Sequence, residues 1–207
     1  MGSEMCIRDS DNCSTGKQIL FVVGNTTLNV GDAAAKNRLE ALGHTLTTIS
    51  ATASQTSDAN GNDLVVISST CNSSDVNTKF RDVAVPVLVW ESFLFDDMQM
   101  TGATSGTHYG SISNQTQLTI ADSNHFIASG LTGNQTIANA ASTLTWGSPT
   151  PAASVIATIN GNSNQAALFA YDTGDQMQGL TAPARRVGFY FTDATASEAT
   201  TTSSTLF

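Results

Sequence analysis

The chain has 207 residues, enough for one domain with a full core. Only 12% of its residues are charged, about half the usual ~25%, and its net charge is −9. With the lysines limited to Lys17, Lys36 and Lys79 and one basic pair, Arg185–Arg186, there is no basic face for a phosphate backbone, which excludes nucleic acid as a partner; no apolar run approaches the ~20 residues of a membrane span.

The leader, M-G-S-E-M-C-I-R-D-S, lacks the apolar stretch of a signal peptide and resembles translated adapter sequence. Residues 1–16 are therefore expected to lie outside the fold, with 17–207 forming one domain whose closing helix is cut short. The lysine-poor, acidic, Thr- and Asn-rich composition is similar to that of secreted bacterial proteins. It predicts an extracellular or cell-surface setting whose signal peptide is not in this sequence. Cys6, Cys13 and Cys71 form no C-x-x-C and no Cys/His spacing suited to zinc. Cys13 precedes the first predicted strand and Cys71 follows the third. In a parallel sheet those positions are roughly 20 Å apart, so no disulfide is expected between them.

Q-I-L-F-V-V-G at 18–24 reads as a first buried strand, followed by a polar loop at 25–31. Asp32 is the predicted N-cap of a helix whose inner face is Ala35, Leu39 and Leu42, and Gly43 closes it. Strands follow at 45–50 and 63–69, separated by a loop with the turn pair Asn60–Gly61. Ser74 or Asp75 is expected to cap a short helix running to Asp82. The run A-V-P-V-L-V-W-E at 84–91 is the central strand, apolar and β-branched with a charge at its end. Alternating strand and helix imply a right-handed, doubly wound parallel sheet.

The second half changes character. A short helix is expected at 93–100, a Gly/Ser/Thr-rich loop at 101–113, and short strands at 117–120, 135–138 and 143–146. Residues 154–159 and 165–171 alternate around Asn160–Gly161, a hairpin signal. A last apolar strand at 186–192 begins with a solvated Arg185–Arg186 pair, and 197–207 starts a helix. The predicted fold class is α/β: a three-layer, doubly wound, mostly parallel (flavodoxin-like) central sheet with an antiparallel hairpin extension.

This order resembles the class I glutamine amidotransferase-like fold, and within it the ThuA-like (trehalose-utilisation) branch. The resemblance covers roughly 17–207. It rests on L-E-A-L-G-H-T-L-T-T-I after the first helix, P-V-L-V-W-E at 86–91, H-F-I-A-S-G-L at 125–131 and R-R-V-G-F-Y-F-T-D at 185–193. The family's amidotransferases place a nucleophilic Cys on an elbow after the strand matching 86–91. Here Glu91 or Ser92 stands there, without flanking Gly. The family's G-x-x-F-H-P-E pattern is matched by G-F-Y-F-T-D-A at 188–194, with Thr192 at the His position and Ala194 at the Glu position. All three triad positions depart, so the resemblance implies the scaffold without its acyl-transfer chemistry.

Ligands of open parallel sheets bind at the carboxyl ends of the strands, where Glu91 and Ser92 fall. A carboxylate ending a buried strand must be paired, hydrogen-bonded or at a ligand. Ser92 is either a nucleophile with His125 as base or the cap of the turn that starts at Phe93; His125 otherwise reads as a structural histidine. Asn25, Thr70 and Asp193 complete the candidate ligand-binding set with Glu91 and Ser92. Asp96, Asp97 and Asp193 would need to join Glu91 to make a calcium site, but paired acids at a turn are ordinarily solvated, and no metal or other cofactor is expected. The 24–31 loop has neither the Lys of a phosphate loop nor a G-x-G-x-x-G pattern, which argues against nucleotides. Cys71 reads as a plain small residue at a strand end. The expected function is a non-catalytic module of a larger exported bacterial protein, binding a small polar ligand such as a glycan, or another domain of its parent chain. The alternatives are a ThuA-like hydrolase or sugar-modifying enzyme using Glu91, Ser92 and His125, and a structural spacer in a surface protein.

Overall fold

Five consecutive residues of β1 (Gln18–Val23) are buried, because both faces of this strand are covered. The structure, a computed structural model, describes residues 16–207; the expectations for the leader, Cys6 and Cys13 fall on residues outside these. After β1 come α1 (Val30–Ala41), β2 (Thr45–Ser50), β3 (Leu64–Ile67), α2 (Ser73–Val76) and β4 (Val87–Val89). The second half contains β5 (Tyr109–Gln115), β6 (Gln117–Ile120), β7 (Asn134–Thr136), β8 (Ser142–Gly147), β9 (Ser154–Thr158), β10 (Ala166–Tyr171), β11 (Arg186–Gly188), α3 (Asp193–Ser197) and α4 (Thr201–Leu206).

Neighbours β2, β1, β3, β4 and β11 form a parallel core. Antiparallel strands β10, β9, β6 and β7 continue the sheet, and β8 joins β10 and carries β5. Ile19, Phe21, Val23, Leu64, Val66 and Leu88 pack into one core with Ala35 and Leu39 of α1 and Leu206 of α4. Leu20, Val22, Val65, Ile67, Val87 and Val89 enter a second core with Val76, Phe80, Leu94 and Phe95. The strand period of two thus divides each buried run between two layers, giving the three-layer α/β arrangement with its antiparallel extension.

Element ends differ from expectation where tertiary contacts decide them. Asn29, not Asp32, caps α1: its side chain accepts from the Asp32 N–H at 2.8 Å. Gly43 follows the helix with φ +90°, the left-handed turn that its sequence position predicts. Asn72, rather than Ser74 or Asp75, caps α2, which ends at Val76 without reaching Asp82. The helix expected at 93–100 is a single 3-10 turn, Ser92–Leu94, with irregular turns after it, and β5 begins inside the expected 101–113 loop. The 154–171 hairpin is present: Asn160 and Gly161 adopt φ 51° and 73°, and Ile159 N–H donates to the Gln165 carbonyl at 3.0 Å. The last strand stops at Gly188 rather than 192, α3 (Asp193–Ser197) precedes the stretch where the closing helix was expected, and α4 (Thr201–Leu206) is the helix within it.

Arg186 is not solvated. It is fully buried, and its guanidinium donates to the carbonyls of Arg81, Val83, Val85, Ala184 and Arg185 at 2.6–3.1 Å. The loop before β4 leaves its carbonyls turned inward, and the planar guanidinium fork satisfies them together. Burial lowers the Arg186 pKa to about 10, still well above neutrality. No helix among the described residues is long and apolar enough to cross a membrane.

Candidate functional site

The parallel strands deliver Gly24, Ser68–Cys71, Trp90–Ser92 and Thr192–Asp193 to one rim, and α1 starts above it. The approach is close: a Cβ on Gly24 would lie 2.1 Å from the Thr70 carbonyl oxygen, and one on Gly31 would lie 1.9 Å from that of Asp193. Only glycine allows the β1 exit and the α1 start to touch the neighbouring chain ends.

Because Asn29 takes the cap, Asp32 lies in the first turn of α1 and points to the end of β3. Ser68 Oγ donates to Asp32 Oδ1 at 2.5 Å, and Thr70 Oγ1 donates to Asp32 Oδ2 at 2.8 Å. Trp90 Nε1–H donates to Ser68 Oγ at 3.2 Å, and Gly24 N–H donates to Thr70 Oγ1 at 3.0 Å. Asp32 is 2% exposed. Burial raises its carboxyl pKa, the two hydroxyl bonds oppose the rise, and Asp193 adds to it. Sequence analysis gave Asp32 only a capping role and did not single out Ser68; the spacing of two hydroxyls after a buried strand was the available signal.

Glu91 ends the central strand and is half-buried. Its Oε1 accepts from the Phe93 N–H at 2.9 Å, so Glu91, and not Ser92, caps the 3-10 turn. Burial raises its pKa to about 7, against the pull of the Phe93 amide. Ser92 is 3% exposed. Phe93 stands out at 52% exposure, edge-on to Tyr109 with ring centroids 5.5 Å apart. Phe93 is another residue whose place at the rim the sequence analysis passed over, since an apolar residue in S-F-L-F reads as core.

The other candidates divide. Thr70 is part of the Asp32 network. Asn25 is exposed at the β1 exit, its Oδ1 accepting from the Thr27 N–H at 2.8 Å. Asp193 is exposed at the start of α3 and accepts from Asn29 Nδ2 at 3.3 Å, tying that helix to the α1 cap. Thr192, at the family's His position, caps α3 by accepting from the Thr195 N–H. Cys71 is buried and its thiol donates to the Val22 carbonyl at 3.4 Å. Burial, with Asp32 and Glu91 nearby, pushes this thiol up to about 12, so it stays protonated.

His125 lies at the opposite end of the sheet. Its Nδ1 accepts from the Ile127 N–H at 3.3 Å, and its ring stacks on Phe126 at 4.7 Å. Arg185, which precedes β11, lies over the same Phe126 ring at 4.9 Å and pairs with Asp172 at 2.7 Å. Phe126, Ile127 and Arg185 line a small cleft with Leu64, Pro86 and Val87, where β3 and β4 begin. The Glu91, Ser92 and His125 constellation is therefore not assembled. Among the described residues no group of three or more His, Cys, Asp or Glu side chains gathers to hold a metal, so Glu91, Asp96, Asp97 and Asp193 do not form a calcium site.

No known family's sequence profile matches the chain, and no curated protein sequence does. In three dimensions it is similar to a putative ThuA-like protein from Bacteroides uniformis, with a TM-score of 0.59 and 8% identity, over 95% of this chain and 91% of that one. It is also similar to SMU.1228c, with a TM-score of 0.49 and 12% identity, over 83% of this chain and 75% of that one. The first likeness shows the class of fold: a ThuA-like α/β domain, present here along nearly its full length. At this identity the likeness shows the fold alone.

Proposed function

We propose that the chain is a non-catalytic, amidotransferase-like module of a larger exported bacterial protein that binds a small polar ligand, such as a glycan, at the carboxyl rim of its sheet. The observation that carries this is Glu91: a half-buried carboxyl raised to about 7, with the Phe93 amide as its hydrogen-bond partner and the exposed Phe93 ring beside it. Near neutral pH such a carboxyl either donates to or accepts from a hydroxyl, and an aromatic face packs against the C–H side of a sugar ring. The protonated Cys71 and the remote His125 support absence of thiol chemistry. The low lysine content supports export. The test is retention on a glycan array, with a loss of at least about tenfold, roughly 1.4 kcal/mol, expected for Glu91→Ala.

A second reading, a hydrolase using Glu91 as its acid–base group, is favoured by that same value near 7, where a general acid or base works best. It would act without His125. Turnover of glycosidic substrates that disappears in Glu91→Gln would support it over simple binding.

A further inference from the structure

Glu91 Oε1 accepts from the Phe93 N–H, and its second carboxyl oxygen has no partner among the described residues. The next residue, Ser92, is 3% exposed, and its hydroxyl makes no hydrogen bond among them either; it is not sealed in, unlike the partnerless Ser69 Oγ that follows β3. A hydroxyl so nearly buried ordinarily has a partner, and a ligand at the rim would supply one. Carboxyls gather around it. Asp32, Asp75 and Glu91 all lie within electrostatic reach of Cys71, and Asp193 within reach of Asp32. The described cations are remote or engaged. Lys17, Arg185 and Arg186 lie where the strands begin, at the opposite end of the sheet. Lys36 pairs with Glu40 and Arg81 with Asp82, Arg38 donates to the Ser204 carbonyl, and Lys79 Nζ donates to the Ala51 carbonyl at 2.9 Å.

We propose, resting on the reading of this rim as a sugar site, that it takes uncharged polyhydroxyl ligands and turns away anionic ones, with Ser92 as a ligand contact beside Glu91. A sugar hydroxyl both donates and accepts, so neighbouring hydroxyls of one ring complete the Ser92 hydroxyl and the open oxygen of Glu91 together. A carboxylate or sulfate ester only accepts. It would meet the Glu91 and Asp193 charges in a partly dry place, with no cation to pair with. Selection at this rim then comes from repulsion of the wrong ligand as much as from contact with the right one.

Matched glycans that differ only in carrying a hexose or the corresponding hexuronic acid read the charge preference on the parent chain, with no variant needed. The hexose member should be retained at least about tenfold better. Ser92→Ala, checked for folding by a thermal melt, should lose about tenfold on the hexose member. Hexuronic glycans held as tightly as their neutral counterparts overturn the proposal, and so does hexose retention that Ser92→Ala leaves unchanged; in both cases the sugar-site reading stands if Glu91→Ala still removes retention. Retention of no glycan at all, or retention indifferent to Glu91→Ala, overturns that reading and this proposal with it.

Discussion

Ser68 Oγ and Asp32 Oδ1 lie 2.5 Å apart, joining the end of β3 to the first turn of α1. Thr70 takes the other carboxylate oxygen, and Trp90 donates to Ser68 from the end of β4. One buried carboxyl thus ties a helix to two strands directly beneath the rim that carries Glu91.

Removing that carboxyl takes the acceptor away from the Ser68 and Thr70 hydroxyls in a dry place. Asp32→Ala is expected to lower stability by about 2–4 kcal/mol in urea unfolding, and Asp32→Asn, which keeps an acceptor, by less. Equal, small losses for both variants would mean that the network is dispensable.

Glu91 titrates at about 7 in the folded chain, above its ordinary 4.5. The folded state therefore favours the protonated form. That contribution to stability is complete below about 4.5 and is lost as pH rises through 7. Glu91→Gln removes the titration, so the variant should gain in melting temperature relative to the parent at pH 8 and lose that gain at pH 4. A difference that does not change with pH contradicts the buried, proton-holding carboxyl.

Cys71 should be inert. With its thiol pushed up to about 12 and its side chain buried, the Cys71 peptide should stay unmodified when the folded chain is treated with iodoacetamide, and become labelled after denaturation. Peptide mass spectrometry reads this position apart from Cys6 and Cys13. Rapid labelling of Cys71 in the folded state would restore a nucleophile to the rim.

Arg186→Ala leaves the carbonyls of the 81–85 loop without their donor, and a loss of about 3 kcal/mol or more is expected in denaturant unfolding. Arg186→Lys should recover little of it, since an ammonium has three donors and no planar fork. Full rescue by lysine would show that charge, not the fork, matters there.

Much of the sheet was legible because β1, β3 and β4 are unbroken apolar runs, and Asn160–Gly161 can occupy the left-handed turn it forms. The rim was half legible. Glu91 stood out as a charge ending an apolar strand, and its position in the structure is the expected one. Asp32 looked like a cap because Asn29 and Asp32 suit that role equally in sequence; what separates them is the reach of Asp32 to Ser68 and Thr70, 36 and 38 residues away. Arg186 resembled a surface charge because its acceptors lie up to 105 residues earlier. His125 could not be placed beside or away from Glu91 until the antiparallel arm fixed which end of the sheet it serves.

The most direct measurement is ligand retention on a glycan array by the parent chain, Glu91→Ala, Phe93→Ala and His125→Ala. A binding rim without acyl-transfer chemistry predicts that the first two substitutions abolish retention and that His125→Ala, at the other end of the sheet, leaves it intact. Retention unchanged by Glu91→Ala, or amide hydrolysis that vanishes in Cys71→Ser, would contradict it.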